Sequence, residues 1–320
     1  MSEALQLPVI DLSSEDRLST AKSIRQRVQS LNLGIVSQAC LDLGFLYLVN
    51  HGVEEELIKE VFEHSKKFFA LPVEEKVKFA VKNHRGYTGL YDEKLNTSLN
   101  AAKGGAKESF YIGTLAENQL NQWPSEVFGI SEDMPSWRST MEAYYKKVLS
   151  AGIKLISLIA LALNLDEDFF QKSGALRDVD SSREREYGAP AHSDYGMVTL
   201  LLTDGVPGLQ ACLPGKIRAT ESLGGCAKHN AFIVNIGDMM ERWTNCLFRS
   251  TMHRVMPTGQ ERYSVAFFLE PNKDCIVECL ESSCSESCPP RFPPIRSSDY
   301  LEEGIRLAAT ASTENHRINI

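Results

Sequence analysis

Past residue 190 the chain changes texture. Four short apolar runs follow one another: MVTLLLT (197–203), GLQACL (208–213), AFIVNI (231–236) and RYSVAFFL (262–269). Residues of this kind suit a pleated, buried surface, and runs of this length bounded by turn residues read as strands. The stop between the first two, Asp204-Gly205-Val206-Pro207-Gly208, is rich in the residues that reverse a chain. Short strands at such spacing point to a barrel or jelly roll rather than an alternating βαβ sheet.

The amino-terminal third reads differently. LPVIDL (7–12) suits an opening strand, and GFLYLVNHGV (44–53) a second one, stopped by Asn50-His51-Gly52. Between them Val28, Leu31, Ile35 and Ala39 recur at helical spacing. After them Glu54, Glu55 and Glu56 place negative charge where a helix start favours it. Val53, Leu57 and Val61 then share a stripe, and Leu71-Pro72 closes the helix. Residues 114–135 are loop-rich, a long helix is predicted from about Trp137 to Leu165, and Ser282–Pro294 is irregular. The expected fold is mainly β with flanking α: a mainly helical region at 1–100 packed on a β core at 101–300, then a tail at 301–320.

Composition narrows the function. The 320 residues suffice for a sizeable core. With 34 Lys and Arg against 42 Asp and Glu, the net charge of −8 argues against a nucleic-acid binder or a polybasic membrane-surface protein. The most apolar helical stretch, Leu155–Leu165, is too short for a bilayer, which needs about 20 residues. The first residues show no secretory signal. Eight cysteines without a compact pairing pattern suggest reduced thiols and a cytoplasmic location. Cys275, Cys279, Cys284 and Cys288 cluster, but their spacing is not that of a zinc site.

The chemistry centres on AHSDYG (191–196). On a strand, His192 and Asp194 would point to one face. Most H-x-D triplets are surface pairs or turn caps, so this one needs a third ligand to carry weight. His253, in RSTMHRV, supplies it 59 residues beyond Asp194. Two imidazoles and a carboxylate on one face suit non-haem ferrous iron with open positions, whereas structural zinc would want a fourth protein ligand. The remaining histidines read as a turn residue (His51), a helix face (His64), loops (His84, His229) and the terminus (His316).

Nine residues past His253, Arg262 and Ser264 share a face of the last strand, continued by Ala266 and Phe268. An inward arginine is costly unless an anion answers it. Its planar fork matches a carboxylate and the serine hydroxyl adds a bond, although a salt bridge to a protein acid would satisfy it equally.

Taken with LPVIDL, GFLYLVNHGV, FFALPVEEK, RGYTG, KESFYIG, AHSDYGMVTLLLTDGVPGLQ, FIVNIGDMMERWTNCLFRSTMHRV and RYSVAFFLEPN, the chain resembles the 2-oxoglutarate and Fe(II)-dependent dioxygenases. The resemblance lies in the plant-type iron/ascorbate, isopenicillin-synthase-like branch, and the pieces run in family order from residue 7 to about 273. It implies a double-stranded β-helix (jelly roll). It implies that His192, Asp194 and His253 ligate Fe(II), that Arg262 and Ser264 hold the distal carboxylate of 2-oxoglutarate, and that ascorbate serves as reductant. In the family, oxidative decarboxylation of the 2-oxo acid yields succinate and CO2 while a C–H bond of a small organic substrate is oxidised by O2, through hydroxylation or desaturation. Asn235, Gly237 and Asp238 match a structural turn. Phe110, Tyr195 and Phe268 are candidates for the substrate pocket or, equally, core aromatics.

One segment departs from the family pattern. Where relatives carry an inner strand before the H-x-D, residues 176–190 run through the charged stretch Asp178–Glu186, which lacks strand character. This reads as the loss of a core strand. It sets two alternatives beside the enzyme: an impaired paralogue or splice form acting as a binding protein, and an oxidase using ascorbate in place of 2-oxoglutarate. Substrate identity and oligomeric state are not legible.

Overall fold

The computed structural model describes residues 7–29, 44–89, 107–127, 132–176, 191–211, 230–256, 259–304 and 306. The expected lost strand at 176–190 lies almost wholly outside these residues, as does most of the helix face at 28–39.

The main sheet has five strands. β1 (Val9–Asp11) lies parallel to β2 (Phe45–Val49), which pairs antiparallel with β7 (Phe232–Ile236); β5 (Val198–Thr203) and β9 (Ser264–Leu269) complete the order β1-β2-β7-β5-β9. The two strands of the amino-terminal region are thus built into the core sheet. Two further strands, β6 (Leu209–Ala211) and β8 (His253–Val255), form an antiparallel pair. The antiparallel pair β3 (Gly86–Thr88) and β4 (Ser109–Tyr111) and the pair β10 (Ile276–Val277) and β11 (Ile295–Arg296) stand apart.

Each face of the main sheet has its own apolar partner. Leu46, Val234, Leu200 and Phe267 point one way into the large cluster shared with the helices. There α3 (Trp137–Ala162) crosses the sheet, and Tyr145 meets Phe267 edge-on with ring centroids 5.4 Å apart. The alternate residues Tyr47, Ile233 and Leu201 point the other way and pack with Leu209 and Ala211 of β6, with Val255 of β8 against them. The five-stranded sheet and the β6–β8 pair therefore enclose a second, smaller core, as period-2 alternation requires of a sheet covered on both sides.

The helices follow the local signals. α1 spans Arg17–Gln29. α2 (Glu55–Phe69) has Glu55 and Glu56 in its first turn and Lys66 and Lys67 in its last, which complements the helix dipole, and it buries Val61, His64 and Phe68. α3 ends at Ala162, three residues short of the expected end. The peptide N–H of Leu163 already closes the helix, and Asn164 takes a positive φ of 58° that the helix cannot continue. No described helix is long and apolar enough to cross a membrane. The expectation of reduced thiols throughout is corrected at one pair: the turn Glu281–Ser283 brings Cys279 and Cys284 into a disulfide. Cys246, Cys275 and Cys288 are free.

Candidate metal centre

Four residues in register across the main sheet form the floor of the site. Phe45 pairs with Asn235, Asn235 with Thr199, and Thr199 with Phe268, so all four side chains lie on the face turned toward the β6–β8 pair. Above this row stand His192, Asp194 and His253, with one potential ligand atom from each lying within 4.8 Å of the others. His192 and His253 form an isolated β-bridge, exchanging backbone hydrogen bonds of 2.9 and 2.8 Å, which sets their rings with centroids 4.3 Å apart. His192 and Asp194 do not share a strand. Only His192 is in a bridge, and Asp194 enters the site from the turn that follows.

Asp194 is 3% exposed and its two oxygens are differently engaged. Oδ2 accepts from the Thr199 hydroxyl at 2.5 Å and from the Asn235 amide at 2.6 Å. Oδ1 is turned to the Nε2 atoms of His192 and His253, at 3.5 and 3.6 Å. Burial pushes this carboxyl up, but the two imidazoles and the two donors outweigh it and hold its pKa below the ordinary aspartate value. It is a carboxylate in the folded protein. His253 Nδ1 donates to the carbonyl of Thr251 at 3.1 Å. A carbonyl can only accept, so in the neutral ring the lone pair is on Nε2, the nitrogen facing Asp194. The edge of Phe45 packs on the same imidazole, 5.7 Å between centroids at 85°.

This arrangement passes a chemical test for a divalent cation. Two neutral-capable imidazole nitrogens and one ionised oxygen converge, while the second carboxylate oxygen and the second nitrogen of His253 are already spent on protein partners. That is the outer hydrogen bonding that orients ligands for a metal. Among the described residues no other group of three such side chains converges, and none adds a fourth to this one.

Behind the site, the loop carrying Asp194 is laced to the start of α4 (Asp238–Trp243). Asp238 N donates to Asp194 O at 2.8 Å and Gly237 N to Met197 O at 3.0 Å. A Cβ at Gly237 would lie 2.3 Å from the carbonyl oxygen of Gly196, so this approach is open only to glycine. The VNIGD turn is structural, as expected, but its Asn235 also holds the carboxylate. Thr199 was not anticipated at all. The signal for both was a polar residue inside a fully buried strand, since such a side chain must find a buried partner.

Arg262 and Ser264 lie together in the structure. Arg262 precedes β9 and its Nη1 donates to Ser264 Oγ at 3.2 Å, while Nε donates to the carbonyl of Val206 at 3.2 Å. Ser264, Ala266 and Phe268 share the inner face, with Ser264 opposite Thr203 and Phe268 opposite Thr199. Ser264 thus lies four residues, roughly 13 Å, along the strand from the row beneath Asp194, with the small Ala266 between them and Arg262 just beyond. The aromatic candidates divide. Phe268 is buried in the row below the triad. Phe110, on β4, packs among Phe68, Phe79 and Trp137. Tyr195 turns to the other side of its loop and lies against Tyr300 and Gly304.

With this geometry in view, the comparisons with known proteins are direct. Residues 7–126 match the family model described as the non-haem dioxygenase in morphine synthesis N-terminal, and residues 172–271 match the 2OG-Fe(II) oxygenase superfamily. Kihadalactone A synthase of Citrus sinensis is 34% identical over 88% of this chain and 90% of its own length. Azadirone synthase of Melia azedarach is 32% identical over 92% and 90%. The crystal structure of a full-length Neurospora crassa protein in complex with alpha-KG and thymine superposes with a TM-score of 0.75 at 29% identity, covering 97% of this chain and 98% of that one. A His-Asp-His cluster on a two-sheet core, full-length relatives and both family models agree: the chain belongs to the 2OG-Fe(II) oxygenase superfamily.

Proposed function

We propose that this protein is a 2-oxoglutarate- and Fe(II)-dependent dioxygenase that hydroxylates or desaturates a small organic metabolite, with O2 consumed and succinate and CO2 released. In this reading the two packed sheets belong to a double-stranded β-helix. The region at 1–100 lends it two strands as well as helical cover, and the residues beyond 300 form a tail. His192, Asp194 and His253 hold Fe(II), which when bound supplies the redox chemistry and leaves positions for cosubstrate and oxygen. The chain's own share is to fix that geometry and to keep a dry, shaped cavity.

The observation that carries the reading is the joint placement of two features on one sheet face. The first is a carboxylate whose free oxygen faces two imidazole nitrogens. The second is an arginine-serine pair further along the same strands. Arg262 is charged at any working pH, and its fork with the Ser264 hydroxyl fits the distal carboxylate of 2-oxoglutarate. Phe268, in the row beneath the triad, is the aromatic best placed to border the substrate. Two of the relatives are synthases by name, kihadalactone A synthase and azadirone synthase, which supports a small-molecule substrate.

The test is succinate formation by purified protein given Fe(II), ascorbate and 2-oxoglutarate, screened over a metabolite library. Arg262→Ala should raise the 2-oxoglutarate KM by at least about tenfold, the worth of one charge-assisted hydrogen bond at about 1.4 kcal/mol per decade, with iron binding retained. Folded, iron-loaded protein that yields no succinate with any substrate would favour a non-catalytic binding protein. Turnover that needs ascorbate but not 2-oxoglutarate would favour the oxidase.

A further inference from the structure

The half-buried Asp238 does more than open α4, because a segment far from the metal centre in sequence also holds it. Its Oδ2 accepts from Ser193 Oγ at 3.3 Å and from Tyr300 OH at 2.9 Å. Ser193 is the residue between two of the metal-site side chains, and the backbone N–H of Asp238 holds Asp194 itself. One carboxyl therefore ties the ligand loop to the carboxy-terminal segment.

That segment is fastened at several further points. Tyr300 lies in a helical stretch over 297–304. The Arg242 guanidinium sits over the Tyr300 ring at 5.3 Å and over the Phe292 ring at 4.9 Å, and donates to the carbonyl of Pro293 at 2.8 Å. Tyr195, next to Asp194, packs edge-on against Tyr300 at 5.9 Å. A Cβ at Gly304 would come within 2.7 Å of the Tyr195 ring, so the segment presses on the loop with no side chain between.

We propose that residues 292–304 act as a clasp on the back of the metal site, with Tyr300 as a positioning residue that acts through Asp238 and Ser193 to set the affinity for the metal. The proposal rests on the metal-centre reading. Orienting partners one step removed from a ligand change metal affinity by about 10- to 100-fold, and Tyr300 stands further out, so the lower end applies.

The experiment compares Tyr300→Phe with the parent, both as full-length metal-free protein, by Mn(II) titration followed by electron paramagnetic resonance. The ring and its contacts with Arg242 and Tyr195 are retained, so only the hydrogen bond is removed. The Mn(II) Kd should rise about tenfold while the metal-free unfolding midpoint falls by no more than about 3 °C. In a Ser193→Ala background, where the carboxyl no longer grips the loop through that side chain, the same substitution should change Kd less than twofold. Unchanged Mn(II) affinity overturns the clasp. So does a tenfold loss that persists in the Ser193→Ala background, or a midpoint falling by tens of degrees, which marks a purely structural role. A parent protein that binds no Mn(II) at all removes the metal-centre reading itself, a result distinct from these.

Discussion

Thr199→Val isolates one hydrogen bond of the centre without changing its shape. Valine matches threonine in volume and in its preference for strands, so β5 keeps its register and only the hydroxyl is lost. That hydroxyl donates at 2.5 Å to a carboxylate oxygen. Both residues are less than 5% exposed, so water does not replace the donor. A hydrogen bond to a buried charge is worth about 1.5–3 kcal/mol. For a chain of this size about 1 kcal/mol moves the unfolding midpoint by roughly 2 °C, so the metal-free variant should melt about 3–6 °C lower. Asp194 then keeps a single side-chain donor from the sheet, Asn235, and turns more freely. Iron affinity should fall by about tenfold. Thr199→Ser restores the hydroxyl and loses only a methyl group, about 0.8 kcal/mol, so it should recover most of both effects. Calorimetric melting and anaerobic iron titration of the three proteins decide the matter. A valine variant that melts no lower than the serine variant and binds iron as tightly as the parent would refute the assignment of Thr199 to the carboxylate.

Two further substitutions probe the surroundings. Gly237→Ala places a Cβ 2.3 Å from a backbone oxygen that cannot step aside. It should cost about 1–3 kcal/mol, as overpacking does, and displace the ligand loop; a variant with parental melting and iron affinity would show that the two turns are not in forced contact. His51 is buried against Phe232, with Nε2 donating to the carbonyl of Asn230 and Nδ1 accepting from Val53 N. Burial lowers its pKa below the ordinary value, so the neutral ring is the folded form. The stability it contributes is present above an unfolded pKa of about 6.5 and is lost progressively as pH falls from that value through the lower folded one. Melting midpoints from pH 7.5 to 5 should therefore fall less steeply in His51→Asn than in the parent, and equal slopes would contradict this.

Legibility in the sequence followed the reach of the signal. The strands were readable because apolar runs between turn residues are local, and all four runs past residue 190 contain a strand. His192, Asp194 and His253 could be picked out as a candidate set because a second histidine joined the H-x-D triplet, and the fold brings the three together. What escaped notice depends on how the chain folds back on itself. Asn235 holds a carboxylate 41 residues earlier in the chain, Thr199 meets the same carboxylate across the bend of five residues that separates them, and Tyr300 reaches the same loop across more than a hundred residues. Tyr195 was a candidate for the substrate pocket or, equally, a core aromatic because it adjoins Asp194; adjacent side chains diverge, and its ring lies against Tyr300. Phe110 sits in a short strand whose inner face is filled by the aromatic cluster on α2 and α3, so packing decided its place. The disulfide between Cys279 and Cys284 was missed because a five-residue spacing says nothing of the tight turn that closes it.

The most direct measurement of the central claim is anaerobic Fe(II) titration of the full-length protein beside Asp194→Ala and His253→Ala, with each variant's fold checked by circular dichroism. The account predicts one Fe(II) bound per parental chain and no measurable binding in either variant, both remaining folded. Stoichiometric, undiminished binding in the folded Asp194→Ala protein would place the metal elsewhere and contradict the account.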